Sequence, residues 1–196
     1  MRPTLIAGVW LGASLLSACG SDQAGTDTGR AEAIILDTPS GTALATGTLQ
    51  GNIFASMSAD GSTWVNLGSP NGITVTLQTL GSSTTVHGEQ TAPAGSYRHV
   101  RLVFEGVTAR LQAGSRVGGT TLASDATVGL GGTDNRVEVG IEVPTFTVDA
   151  DLNVRRTIVF ELRSQVWLTE AALQAGRVED AALQAALTAT TRVDPR

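Results

Sequence analysis

From Ala31 onward, apolar and polar residues alternate with a period of two over many short runs, the pattern of strands with one buried face. Arg136 to Val143 shows it most cleanly. Val137, Val139, Ile141 and Val143 share one face, and Arg136, Glu138 and Glu142 the other. Pro144 then resets the phase to Phe146 and Val148. Tyr97 to Gln112 is the longest run: Val100, Leu102 and Phe104 face one way, and after Gly106 the face passes to Val107, Ala109 and Leu111. A one-residue slip at a glycine signals a β-bulge. Further strands are expected over Ala31–Asp37, Ala43–Met57 (interrupted at Gly47 and Gly51), Thr63–Leu67, Ile73–Leu77, Thr84–Glu89 and Val154–Leu168. Between them lie turn signals: Thr38-Pro39-Ser40-Gly41, Ala59-Asp60-Gly61-Ser62, Pro70-Asn71-Gly72 and Asp149 to Asn153. In the last run Ile158, Phe160, Leu162 and Val166 are assigned to the core face.

Eight or nine strands at this spacing predict an all-β fold, a single antiparallel domain over 31–168 built as a sandwich or a barrel. Helical patterning appears only in a C-terminal tail, 169–196. There Thr169 is positioned to cap Glu170–Ala175 with Gly176 at the stop, and Val178–Ala189 follows as a second helix.

The first thirty residues follow a different rule. Met1 to Thr4 carries one positive charge, and Leu5 to Leu16 is apolar and uncharged but too short to span a bilayer, which takes about 20 residues. Leu16-Ser17-Ala18-Cys19 then resembles the bacterial lipobox. The chemistry behind that pattern is specific. Small residues fit a signal peptidase's subsites, and a thiolate is nucleophilic enough to take a diacylglyceryl group as a thioether. Residues 1–18 are thus expected to be a lipoprotein signal peptide, with Leu16, Ser17 and Ala18 its peptidase recognition residues and Cys19 the lipidation site. Gly20 to Gly29 has no bulky apolar residue, so 19–30 reads as lipidated cysteine and tether. Gly20 is not a retention signal of the kind Asp provides in diderm bacteria, so the expected location is the cell envelope, and the outer membrane where there is one.

Composition narrows the picture further. Hydrophobic content of 41% against 16% charged supports a packed core, and the 196-residue chain suits one domain better than two. The 13 basic residues are all arginine, yet the net charge is −5, which argues against nucleic acid and against docking on anionic headgroups. The membrane is therefore expected to be reached through the lipid. With Cys19 the only cysteine, the domain forms no internal disulfide and no cysteine-based zinc cluster.

Pro93-Ala94-Gly95-Ser96-Tyr97-Arg98-His99-Val100-Arg101-Leu102 resembles the P-[AP]-G-x-Y-x-x-[IV]-R-L core of a family of prokaryotic surface lipoproteins known as a domain of unknown function, number four-three-eight-two. Asp37-Thr38-Pro39 is similar to that family's early D-x-P. Val159-Phe160-Glu161-Leu162-Arg163-Ser164 is similar to its late D-F-D…S strand, with Val159 and Glu161 departing from the two acids. The resemblance spans 31–168 and implies a transthyretin-like or immunoglobulin-like sandwich behind a lipobox, and no activity. Within the motif, Arg98 and Arg101 should point away from the core, Arg101 pairing with a carboxylate such as Glu105 or Glu161.

The search for chemistry yields little. His87 and His99 lie in expected strands as polar surface residues, and no nucleophile–base or zinc spacing surrounds them. Asp149-Ala150-Asp151-Leu152-Asn153 begins like a calcium loop, but Val154 stands where glycine is required and Phe160 where the bidentate acid belongs. Asp60, Asp125 and Asp134 read as turn acids. No catalytic residue, metal or cofactor is expected. Trp64 and Trp167 are the candidate ligand-stacking residues, Trp167 because it alternates opposite Val166 and Leu168. Three classes of function follow: a non-enzymatic binding or structural module of unknown ligand, with a protein or glycan partner at the envelope; a glycan-binding surface module; and an envelope enzyme without a recognisable motif.

Overall fold

The computed structural model describes residues 27–37, 45–67, 72–77, 83–132 and 134–195; over 72–77, over 83–89 and at 195 it describes the backbone alone. The leader, the lipobox with Cys19, most of the tether and the turn 38–41 lie outside the described residues. In chain order the strands are β1 (Thr28–Asp37), β2 (Gly47–Ser58), β3 (Val65–Asn66), β4 (Gly72–Leu77), β5 (Ser83–Pro93), β6 (Gly95–Leu111), β7 (Arg116–Val117), β8 (Thr120–Thr121), β9 (Ala126–Leu130), β10 (Arg136–Val148) and β11 (Arg155–Glu161). The helices α1 (Ser164–Trp167) and α2 (Glu170–Ala175), strand β12 (Arg177–Val178), helix α3 (Asp180–Thr188) and strand β13 (Arg192–Pro195) complete it.

The fold is mostly β and consists of two main sheets with one shared core. The smaller sheet has the order β13-β11-β1-β5. The larger is organised on β6, which pairs with β2 along one edge and with β10 and then β9 along the other; β3 and β4 pair with the far edge of β2, and β12 with β9. Ala31, Ala33 and Ile35 of β1 and Ile158 and Phe160 of β11 join the inner faces of β2, β6 and β10 in one buried cluster.

The alternation in β10 is reproduced residue for residue, with Val137, Val139, Ile141, Val143, Phe146 and Val148 buried. Its pairing with β6 slips between Glu142 and Phe146, where Pro144 lacks the N–H a regular ladder needs. The slip expected in β6 is also present. Asn52 pairs with Glu105 and Gln50 with Thr108, so Gly106 and Val107 oppose Gly51 alone. Gly106 lies at φ 60, a left-handed conformation that favours glycine, and it lets both halves of β6 face the core. A Cβ on Gly51 would meet the Val107 backbone at 2.6 Å, so that glycine is fixed by close approach.

Three expectations are corrected. The sheets are mixed rather than purely antiparallel, because β1 runs parallel to β11 and β9 parallel to β12. Period-two patterning is the same for both directions, so it carried no information about this. β1 lies between two strands and is buried on both faces, the usual setting of a parallel pair. The stretch 169–196 is not purely helical: Arg177–Val178 and Arg192–Pro195 return to the sheets. Thr169 does cap α2, accepting from Ala172 N at 3.2 Å, and Gly176 ends it at φ 68. The third correction concerns Val154–Leu168. The strand stops at Glu161, Arg163 adopts a left-handed conformation (φ 45), and α1 follows. That break reverses the phase: Val166 is 51% exposed, and Trp167 is fully buried.

Candidate functional site

The outward face of the large sheet carries the most concentrated polar chemistry. On β2, β6 and β10 the cross-strand rows are Ser58–His99–Glu142, Ser56–Arg101–Gly140, Phe54–Val103–Glu138 and Asn52–Glu105–Arg136. The loop after β2 folds over one end of it. Asp60 builds that loop: its Oδ1 accepts from Ser62 N at 2.8 Å, from Thr63 N at 2.9 Å and from the Ser58 hydroxyl at 3.0 Å. The backbone bonds from Thr63 and Ser62 hold its carboxyl far below the usual carboxylate range. The expectation that Asp60 is a turn acid is met.

The loop delivers Trp64 onto Arg101. The guanidinium carbon lies 4.1 Å from the ring centroid, a cation–π stack. Arg101 is held in its plane by Nε donating to Ser56 Oγ at 3.0 Å and Nη1 to Glu138 Oε1 at 2.9 Å. Glu138 also accepts from Arg136 at 3.0 Å, and Arg136 reaches Glu105 at 3.3 Å. Trp64, Arg101, Glu138, Arg136 and Glu105 thus form one continuous chain. Arg101 has a carboxylate partner, but it is Glu138 and not Glu105 or Glu161. Gly140 stands directly opposite Arg101 and has no side chain, so the guanidinium leans diagonally to Glu138. Glu105 is taken by its own cross-strand neighbour Arg136, and Glu161 belongs to the other sheet, bound to Arg163 and Arg192.

Burial works to raise the Glu138 carboxyl, but hydrogen bonds from Arg101 and Arg136 outweigh it and its pKa is lowered. A carboxyl depressed in the folded state adds stability above its unfolded pKa, and that contribution disappears as pH falls through the folded value. Wild-type stability should therefore drop on acidification below about pH 4.5, near the ordinary glutamate value, and Glu138→Gln should lose under about 1 kcal/mol at neutral pH because the cluster is partly solvated. Denaturant titrations of both proteins at pH 7 and pH 4 check this: a constant difference between them would remove the role given to Glu138.

His99 points outward yet is only half-exposed, with Gly61 of the loop beside it; its Nε2 is enclosed and makes no hydrogen bond. Its cross-strand neighbour Ser58 donates to Asp60, not to the imidazole, so the two are not joined as nucleophile and base. His87 lies where only the backbone is described. The Asp149–Asn153 segment is a hydrogen-bonded turn: Asp151 Oδ1 accepts from Asn153 N at 2.8 Å, and Asp149 pairs with Arg156 at 3.0 Å.

The two tryptophans separate. Trp64 is half-buried and outward, with Arg101 against its ring. Trp167 is a correction: it sits in the core, 0% exposed, with Nε1 donating to Leu162 O at 2.9 Å, and not on an outward face. Tyr97 is likewise buried. It stacks on Phe146 at 5.9 Å and donates to Pro93 O at 2.7 Å, and burial pushes its hydroxyl pKa up.

Sequence reasoning did not pair the buried acids. Asp37 Oδ1 accepts from Ser164 N and Oδ2 from Ser164 Oγ, both at 2.7 Å, which caps the start of α1 from the end of β1. Glu32 accepts from Thr157 Oγ1 at 2.7 Å and pairs with Arg155 at 3.3 Å. The signal for the first was in the resemblance, which singled out both Asp37 and Ser164. Compared with known proteins, the chain matches no family model, no curated protein and no solved structure.

Proposed function

We propose that this chain is a membrane-anchored bacterial lipoprotein whose β-domain is a non-enzymatic binding or structural module. The observation that carries the reading is the run Leu16-Ser17-Ala18-Cys19 behind a charged n-region and an uncharged apolar stretch. Transfer of a diacylglyceryl group to the Cys19 thiol, cleavage before that residue and acylation of the freed amine give two or three chains. That number anchors stably where one chain is marginal, at about 0.8 kcal/mol per buried methylene. The described strands begin at Thr28, nine residues beyond Cys19. In a diderm organism the outer membrane is the destination.

The assignment to the domain of unknown function four-three-eight-two is part of the proposal. The contact between Asp37 and Ser164 supports it, because it gives the early D and the late S of that pattern one shared structural task. For the finer fold we infer an immunoglobulin-like or transthyretin-like sandwich. In support, the Tyr97 hydroxyl bonds the backbone four residues upstream, in the manner of the tyrosine corner of immunoglobulin-like domains. The non-enzymatic reading is supported by how the polar groups are used: Asp37, Glu32, Glu138 and Glu161 each hold a neighbouring element through an ion pair or hydrogen bond.

Fractionation of cells expressing wild type and Cys19→Ala tests the anchor. Wild type should sediment with membranes and leave them only with detergent, and the variant should be soluble or retained as the uncleaved precursor. Wild type in the soluble fraction would overturn the proposal.

A further inference from the structure

At the opposite end of the large sheet from the Trp64 loop, its outward face is hollowed into an open groove of about 390 Å³. Thr48, Arg110 and Thr127 form one cross-strand row of β2, β6 and β9. Thr108, two residues before Arg110 on β6, lines the groove as well. Gln112 and Asp125 complete the polar wall.

Two features distinguish this groove from the self-paired cluster around Arg101. The Arg110 guanidinium makes no hydrogen bond or ion pair among the described residues, whereas Arg101 on the same strand is paired with Glu138. Asp125 lines the same groove without pairing to it; its Oδ1 is fixed by Ala113 N at 2.9 Å, which orients the carboxylate. A cation and an oriented anion therefore share one cavity unneutralised, with three hydroxyls and an amide between them.

We propose that this groove binds an acidic saccharide, a sugar bearing a carboxylate. Sugar hydroxyls donate and accept at once, so they need acceptors such as Asp125 together with donors such as Gln112 and the threonines. A free guanidinium is the planar fork that matches a carboxylate with two parallel hydrogen bonds. The volume lies within the usual range for small-ligand sites, about 300–1,000 Å³. The inference rests on the reading of the domain as a binding module, and gives that module a site and a ligand class.

The test is an NMR titration of the full chain in detergent micelles with di- to tetrasaccharides of galacturonic, glucuronic and mannuronic acid, alongside their neutral counterparts. At least one uronic series should shift the amides of Thr48, Arg110 and Thr127 at up to millimolar concentration. Arg110→Gln, at an exposed position, should stay folded and bind tenfold or more weakly. The site is overturned if no uronic saccharide binds, if neutral sugars bind equally well, if the shifts lie elsewhere, or if Arg110→Gln binds like wild type. None of these outcomes bears on Cys19, so failure of the groove and failure of the anchor are told apart.

Discussion

Replacing Trp167 with alanine should cost about 3–5 kcal/mol of stability, the largest single-residue loss expected in this protein. The side chain is 0% exposed, so its removal forfeits the transfer energy of a large ring and leaves a cavity. It also strands the Leu162 carbonyl, which now accepts the indole N–H at 2.9 Å. Trp167 joins α1 to the core that the two sheets share, so a collapse that refills the site would have to move that helix. Trp167→Phe keeps most of the apolar volume and loses the hydrogen bond, and should cost about 1–2 kcal/mol. Denaturant unfolding followed by circular dichroism measures both. A loss under 1 kcal/mol for the alanine variant would mean that the ring lies on the surface, as the alternation in sequence had suggested.

Asp37→Ala should follow, at about 3 kcal/mol. Asp37 is fully buried, and both its oxygens accept from Ser164. Hydrogen bonds to a charged group contribute about 1.5–3 kcal/mol, and here truncation leaves a buried N–H and a buried hydroxyl without that acceptor. Asp37→Asn retains an oxygen for Ser164 N, and the serine hydroxyl can turn to accept from the new amide, so its cost should be nearer 1 kcal/mol. Ser164→Ala removes one of the two bonds and should fall between. The double variant Asp37→Ala/Ser164→Ala should lose clearly less than the sum of the single losses, because the two residues act on each other. Additive losses would show that the contact is not what makes Asp37 important.

What the sequence revealed, and what it hid, follows from how local each signal is. β6 and β10 were legible because long runs repeat the same alternation, and because Gly106 and Pro144 mark the slips with the residues that physics requires there. α2 was legible from its cap and its terminal glycine. β9, β12 and β13 were not, since strands of two to five residues carry too few alternations to stand out. Trp167 was placed on the wrong side because the break before it occurs at Arg163, a left-handed residue without a glycine's signature. The partner of Arg101 was misjudged for another reason. Glu138 lies 37 residues away in sequence, and its closeness depends on which strand pairs with β6 and on the bare position at Gly140. The groove around Arg110 likewise needs three strands in register, two of them set by pairings the alternation does not specify.

Intact mass spectrometry of the mature wild-type protein decides whether a lipid at Cys19 holds this domain on a membrane. The expected species begins at Cys19 and carries the added mass of a diacylglyceryl group, with or without a further amide-linked acyl chain. A mature chain with an unmodified cysteine, or one cleaved at another position, would overturn the lipid anchor.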